Sequence, residues 1–210
     1  VGSWKNSLPD NAPNNLLFNI YDGEKENLID FLKLNEIEVQ PLFPVTSARF
    51  QRLDSKKEID RTFNFTWMDK LPEGNEVIAG KWFENKNNGI SISSEISERY
   101  ELKINDQIVI DIAGKKISSY IQSIREVNWE NFSPNFFAIG FSDDFKEISS
   151  TFITSFYIPL EKKPLSSEIM KAFPTISFIS LDAIISEVQS IISKVSQALK
   201  LILSLTLIAG

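Results

Sequence analysis

The pattern that most restricts this chain is a strand-helix-strand alternation that occurs twice, once toward each end, with a run of short strands between the copies. In the first copy, Leu16–Tyr21 is an apolar run of strand length and Asp22-Gly23 turns the chain. Glu24–Leu34 then spaces Leu28, Ile29, Phe31, Leu32 and Leu34 around a short helix. Val39–Phe43 and Ala48–Leu53 read as one extended segment broken at Pro44. The second copy has a strand over Thr151–Ile158, a short helix over Ser166–Phe173 and a strand over Thr175–Ile179. Between the copies, residues 54–75 read as a charged connection around Phe63, Phe65 and Trp67. Val77–Phe83 and Phe136–Phe141 are strand-like, and Ser94–Leu102 has helical periodicity before a turn at Asn105-Asp106. Ile108, Ile110 and Ile112 alternate ahead of Ala113-Gly114-Lys115-Lys116 and the strand Ile117–Ile124, the clearest hairpin in the chain. The simplest assembly is an α+β fold. Residues 16–60 and 150–180 form one α/β layer, a barrel-like β-rich subdomain over 61–149 is inserted in it, and the Asn/Pro-rich residues 1–15 lead in as a loop.

From Leu181 the pattern becomes one long helix. Ile184, Val188, Ile191 and Val195 recur at three- and four-residue steps, with Ser186, Gln189, Ser190 and Ser193 on the other side. These four apolar residues are the candidates for coupling a stalk helix to a partner. Asp182 is placed to act as an N-cap or first-turn acid. From Ala198 to Gly210 the run is apolar apart from Lys200 and the small polar Ser204 and Thr206, too short to cross a bilayer, which takes about 20 residues. The expectation is a helix over 181–210 that leaves water and enters a membrane, cut short in this chain. A buried C-terminal helix is the alternative. The start at Val1 rather than Met fits a piece of a longer protein.

The chemistry open to the chain is narrowed by what it lacks. It contains no Cys and no His, which removes thiolate nucleophiles, disulfides, Cys/His metal sites and His-based catalysis. No metal or cofactor is expected. A net charge of -6 makes nucleic acid a poor partner. Gly74-Asn-Glu-Val-Ile-Ala-Gly80-Lys81 is an imperfect phosphate loop: it has one residue too many between its glycines, and Trp82 stands where Ser or Thr belongs. The acids Asp143, Asp144 and Glu147, or Glu36 and Glu38, are sequence neighbours in polar loops rather than a pair facing across a cleft. No catalytic residue is assigned. Two aromatic groups stand out: Phe63, Phe65 and Trp67, and Trp129, Phe132, Phe136 and Phe137 around Pro134. Packing between subdomains is the plain reading of Trp67, Trp129, Phe132, Phe136 and Phe137, and a surface for hydrophobic cargo is the functional one.

Several segments together resemble a known family. They are Trp4…Leu8-Pro9-Asp10-Asn11-Ala12-Pro13-Asn14, Leu71-Pro72-Glu73-Gly74-Asn75…Ala79-Gly80-Lys81-Trp82, Asp111-Ile-Ala-Gly114, Val127-Asn128-Trp129-Glu130…Pro134-Asn135-Phe136-Phe137, Thr154-Ser155-Phe156 and Ala172-Phe173-Pro174-Thr175. Their order is similar to the large periplasmic domain of YbbP-type permeases in the FtsX/MacB superfamily of ABC transporters. Ser94–Ile112 resembles that superfamily's Leu-x-x-Gly-Asp turn, with Asn105 in place of Gly, a swap suited to positive φ. The resemblance implies a MacB-like periplasmic domain with a porter-like layer, at the bacterial inner membrane. It implies a cytoplasmic ABC ATPase dimer that hydrolyses ATP, a periplasmic body that moves in response (mechanotransmission), lipid or other hydrophobic cargo, and a lysophospholipase/thioesterase partner. Lipoprotein release or tripartite efflux are the alternatives within the superfamily. Outside it stand a free-standing periplasmic binding or chaperone-like module and a carboxylate-dependent hydrolase.

Overall fold

Two apolar cores organise the molecule, and one strand belongs to both. The computed structural model describes residues 12–52, 59, 61–83, 88–129, 133–181, 183–184, 187 and 190–199. The chain runs through β1 (Asn15–Ile20), α1 (Lys25–Leu34), β2 (Phe43–Arg52), β3 (Arg61–Trp67), β4 (Asn75–Gly80), β5 (Gly89–Ser93) and α2 (Ser94–Tyr100). It continues through β6 (Gln107–Ile112), β7 (Lys115–Val127), β8 (Ala138–Gly140), α3 (Ser142–Phe145), β9 (Thr151–Phe156), α4 (Leu165–Ala172) and β10 (Ser177–Ser180).

The first core lies under α1 and α4. Leu28 and Leu32 sit one turn apart on α1, and Leu165 and Ile169 one turn apart on α4. Both pairs bury against Leu17 and Ile20 of β1 and Phe156 of β9. These helices cover a sheet in the order β10-β1-β9-β2, with every pairing antiparallel. Two β-α-β units interleave in that order, a split β-α-β arrangement. β1 bulges at its far end, where Asn19 takes a φ of 59°.

The second core is the interior of a closed ring. β2 pairs β3, β3 pairs β8, β8 pairs β5, β5 pairs β7, β7 pairs β6, and β6 returns to β2. Phe50, Phe63, Phe65, Ile90, Ile92, Ile108, Ile110 and Ile121 fill it. Closure removes the open edges that short strands otherwise expose. β4 lies outside the ring and, among the described residues, pairs with β7 alone.

β2 joins the lobes. Its first residues, Phe43–Val45, pair β9 in the layer, and Thr46–Arg52 pair β3 and β6 in the ring. The expected break at Pro44 is absent, because Pro44 stands opposite Phe152 within a continuous strand; the expected strand over residues 39–42 is absent too. Phe63, Phe65 and Trp67 lie on β3 rather than in a loop. Their period-two spacing turns all three rings into the ring's interior, a strand signal masked by the surrounding charge.

Local chemistry explains the sharp turns. Ala113 and Gly114, with φ of 51° and 87°, make the two-residue turn between β6 and β7. Asn105 has a φ of 69°, as its turn position requires. The Ser93 hydroxyl accepts from the Ile96 amide at 3.4 Å and caps α2. At the C-terminal end, residues 181, 183, 184, 187 and 190–199 are helical. Asp182 and residues 200–210, with the expected membrane-entering run, lie outside the described residues. Among the described residues no helix is long and apolar enough to cross a membrane.

Candidate functional site

Where the layer meets the ring, the two surfaces leave a groove of about 670 Å³, within the usual range for small-molecule sites. One wall is the approach to β2 (Gln40, Pro41, Leu42, Phe43, Pro44) with Ser155 of β9. The other is Trp67–Glu73, which leaves β3, with Ser133, Pro134, Ser142 and Lys146. The lining is mainly apolar. Beside it a third small core ties the lobes together: Met68, Phe136 and Ile139 are buried, with Phe43, Val45 and Ile153 packed on them. Phe43 meets Phe136 edge-on at 6.2 Å.

The aromatic residues singled out in the sequence divide among these places. Trp67 borders the groove, and its ring stacks on Phe145 at 6.3 Å within the ring core. Phe136 is buried in the core between the lobes. Phe137 packs on the ring core edge-on to Phe63 at 6.2 Å. Trp129 is 39% exposed, lies 4.8 Å from Phe137, and donates its indole N–H to Glu95 at 2.7 Å. Phe132 lies outside the described residues. Ile184, Ile191 and Val195 are all exposed on the C-terminal helix, and Val188 lies outside the described residues.

Behind the groove sits a polar network that the sequence reading did not assign. Arg125 on β7 is fully buried. Its Nε donates to the Ser91 hydroxyl at 2.9 Å, one terminal nitrogen donates to the Asn75 amide oxygen, and the other donates to the Phe136 carbonyl at 3.0 Å. All three acceptors are neutral, and burial lowers the guanidinium from its usual 12.5 to about 9, so it keeps its charge at neutral pH. Asn75 in turn donates to Asn135 Oδ1 at 2.9 Å, and Asn135 donates to the Asn128 carbonyl at 2.9 Å. The network joins Leu71–Asn75 to Val127–Phe137, two of the segments on which the family resemblance rests. The signal was present in the alternation: Ser119, Ile121 and Ser123 point inward on β7, and Arg125 is next in phase.

Among the described residues the acids form no such centre. Glu36 pairs with Lys162 at 2.8 Å, and Asp144 accepts from the Asn88 amide at 3.1 Å. Among the described residues no group of three acids could hold a metal. The imperfect phosphate loop is β4 itself, extended from Asn75 to Gly80.

No protein-family model matches the chain. It is 26% identical over 192 residues to the uncharacterized ABC transporter permease YbbP of Escherichia coli strain K12. That match covers 88% of this chain, which spans about a quarter of the relative, 24% of its length. Among solved structures, a crystal structure described as a domain of a "putative Permease protein" from Porphyromonas gingivalis aligns with a TM-score of 0.40 and 11% identity. The alignment covers 80% of this chain and 89% of that one. By its sequence match, the chain is a homologue of a segment of an ABC transporter permease, YbbP.

Proposed function

We propose that this chain is the extracytoplasmic domain of an ABC transporter permease of the FtsX/MacB superfamily, placed in the periplasm and joined to the bacterial inner membrane through its C-terminal helix. A cytoplasmic ABC ATPase dimer hydrolyses ATP, and the domain turns the resulting motion into work on lipid or other hydrophobic cargo. A periplasmic lysophospholipase/thioesterase is the partner that receives the cargo. The observation that carries this reading is the permease match over 88% of the chain.

The geometry offers a route for the motion. The C-terminal helix begins at Leu181, directly after β10, and the Leu181 amide is bonded to the Asn14 carbonyl at 2.9 Å. Force on the helix enters β10 and crosses the hydrogen-bonded order β10-β1-β9-β2. β2 continues into the ring and borders the groove, so displacement of the layer against the ring changes the groove's width. An apolar groove that opens and closes takes up and releases an acyl chain without chemistry of its own.

Two measurements test this. Alkaline phosphatase fused within this segment of the full-length protein should be active; an inactive fusion beside an active cytosolic reporter sinks the periplasmic placement. In proteoliposomes holding the full-length permease, its ATPase and a fluorescent lipid, ATP should drive loss of the probe to an acceptor. Leu71→Glu, on the groove wall, should abolish that loss and leave ATP hydrolysis intact. Probe loss that ignores ATP, or that Leu71→Glu leaves unchanged, refutes the groove as the working site.

A further inference from the structure

The wall of the groove that faces β2 is fastened from behind. Pro72 and Glu73, on the loop that leaves β3, and Ser133 and Pro134, on the loop that approaches β8, both belong to that wall. The loops share the β3–β8 pairing at their roots, but among the described residues no backbone hydrogen bond joins residues 72–75 to 133–136. Arg125 reaches both: it bonds Asn75, just past the first loop, and the Phe136 carbonyl, just past the second. Its third contact, Ser91, anchors it to β5, where the Ser123 hydroxyl also donates to Ser91 at 2.7 Å. Only a planar fork with several donors spans three diverging acceptors at once. A buried charge among neutral acceptors is expensive, and an apolar residue would fill the ring more cheaply. Phe136 then passes the constraint across the lobes, because its ring packs on Phe43 of β2.

We propose that Arg125 is the positioning residue of the groove, its guanidinium holding segments 72–75 and 133–136 in fixed relation and so setting the groove's width from outside it. The inference builds on the groove identified under the proposed function, but rim geometry decides it; whether the groove takes a lipid is a separate result.

The chain has no Cys, so paired cysteines give specific spin-label sites. Labels on Glu73→Cys at the rim and Glu168→Cys on α4 report the rim's position against the layer by electron–electron double resonance. The full chain should give one narrow distance. Arg125→Met and Asn75→Ala should each lose it, and Arg125→Lys should restore it in part. Ile110→Val, which loosens the ring core away from the network, should keep it. A folded Arg125→Met chain, judged by circular dichroism, that keeps the narrow distance overturns the proposal. So does Ile110→Val broadening the distance as much as Arg125→Met. Should Arg125→Met fail to fold, Asn75→Ala decides alone: the half-buried amide can be removed without taking the charge from the core, and an unchanged rim in that variant also overturns the proposal.

Discussion

Residue 140 shows how little room the ring leaves. A Cβ on Gly140 would collide with the ring of Phe145 and lie 2.8 Å from the ring of Phe65. Phe65 and Phe145 are fully buried and meet at 4.8 Å, so neither ring can swing away. Gly140→Ala should therefore destabilise the chain by about 1–3 kcal/mol, read as a lower urea midpoint at unchanged slope. A midpoint equal to the parent's would mean that α3 yields easily. Charge at single residues makes a second prediction. The Lys162 hydrogen bond and charge hold the Glu36 carboxyl below its ordinary value of 4.5. A lowered acid contributes its stability above the ordinary value and loses it as pH falls through its own lower value. With no His in the chain, no side chain of ordinary pKa titrates near neutrality. The urea midpoint should stay level from about pH 6 to 8 and fall in acid. Glu36→Gln should soften only the acid limb; a slope near neutrality would contradict the reading.

At the scale of elements, the turns and helix ends decide what can be read from sequence. The β6–β7 hairpin was legible because alternating isoleucines lead into a turn containing Gly114, yet Ala113 holds a φ of 51° that suits Asn better. Ala113→Asn should raise stability by about 0.5–1 kcal/mol, measured by thermal and urea unfolding. A loss would show that Ala113 makes a contact worth more than its strain. Other boundaries were hidden. α1 and α2 both end on a left-handed Glu, Glu36 and Glu101, each with a φ of 55°. In both, the next residue's amide bonds back into the helix, Ile37 to Leu32 and Leu102 to Ser97, each at 2.9 Å. Gly usually fills that position, so the stop signal was missing and the expected α2 ran on to Leu102. β3 was missed because its inward Phe63, Phe65 and Trp67 sit beside a charged run, and β5 because Gly89–Ser93 is too short to show a period. The flanking strand-helix-strand units were legible because Leu28/Leu32 and Leu165/Ile169 carry plain helical spacing. The groove was not, since its walls come from segments far apart in sequence that meet only through β2 and the Arg125 network.

For the whole molecule, the C-terminal helix is the proposed link to the membrane. Ile184, Ile191, Ile192, Val195 and Leu199 are about half-exposed, so the described part of this helix does not bury these residues against the lobes. Inserting two glycines near Ser190 in the intact permease should leave ATP hydrolysis running while the periplasmic output is lost. Hydrolysis and output that stay coupled would make the helix a tether only. The ring has a different relation to the layer. It leaves the layer from β2 and returns to it at β9, and these strands are antiparallel neighbours whose last pair is Val45 with Thr151. Two such ends need no more than a tight turn to join them. The entire ring is thus a guest at a hairpin: a shortened gene that linked Val45 to Thr151 through Asn-Gly would keep the four strands and two helices of the layer and uncover Phe43, Val45 and Ile153, the apolar seat on which any guest at this junction has to pack.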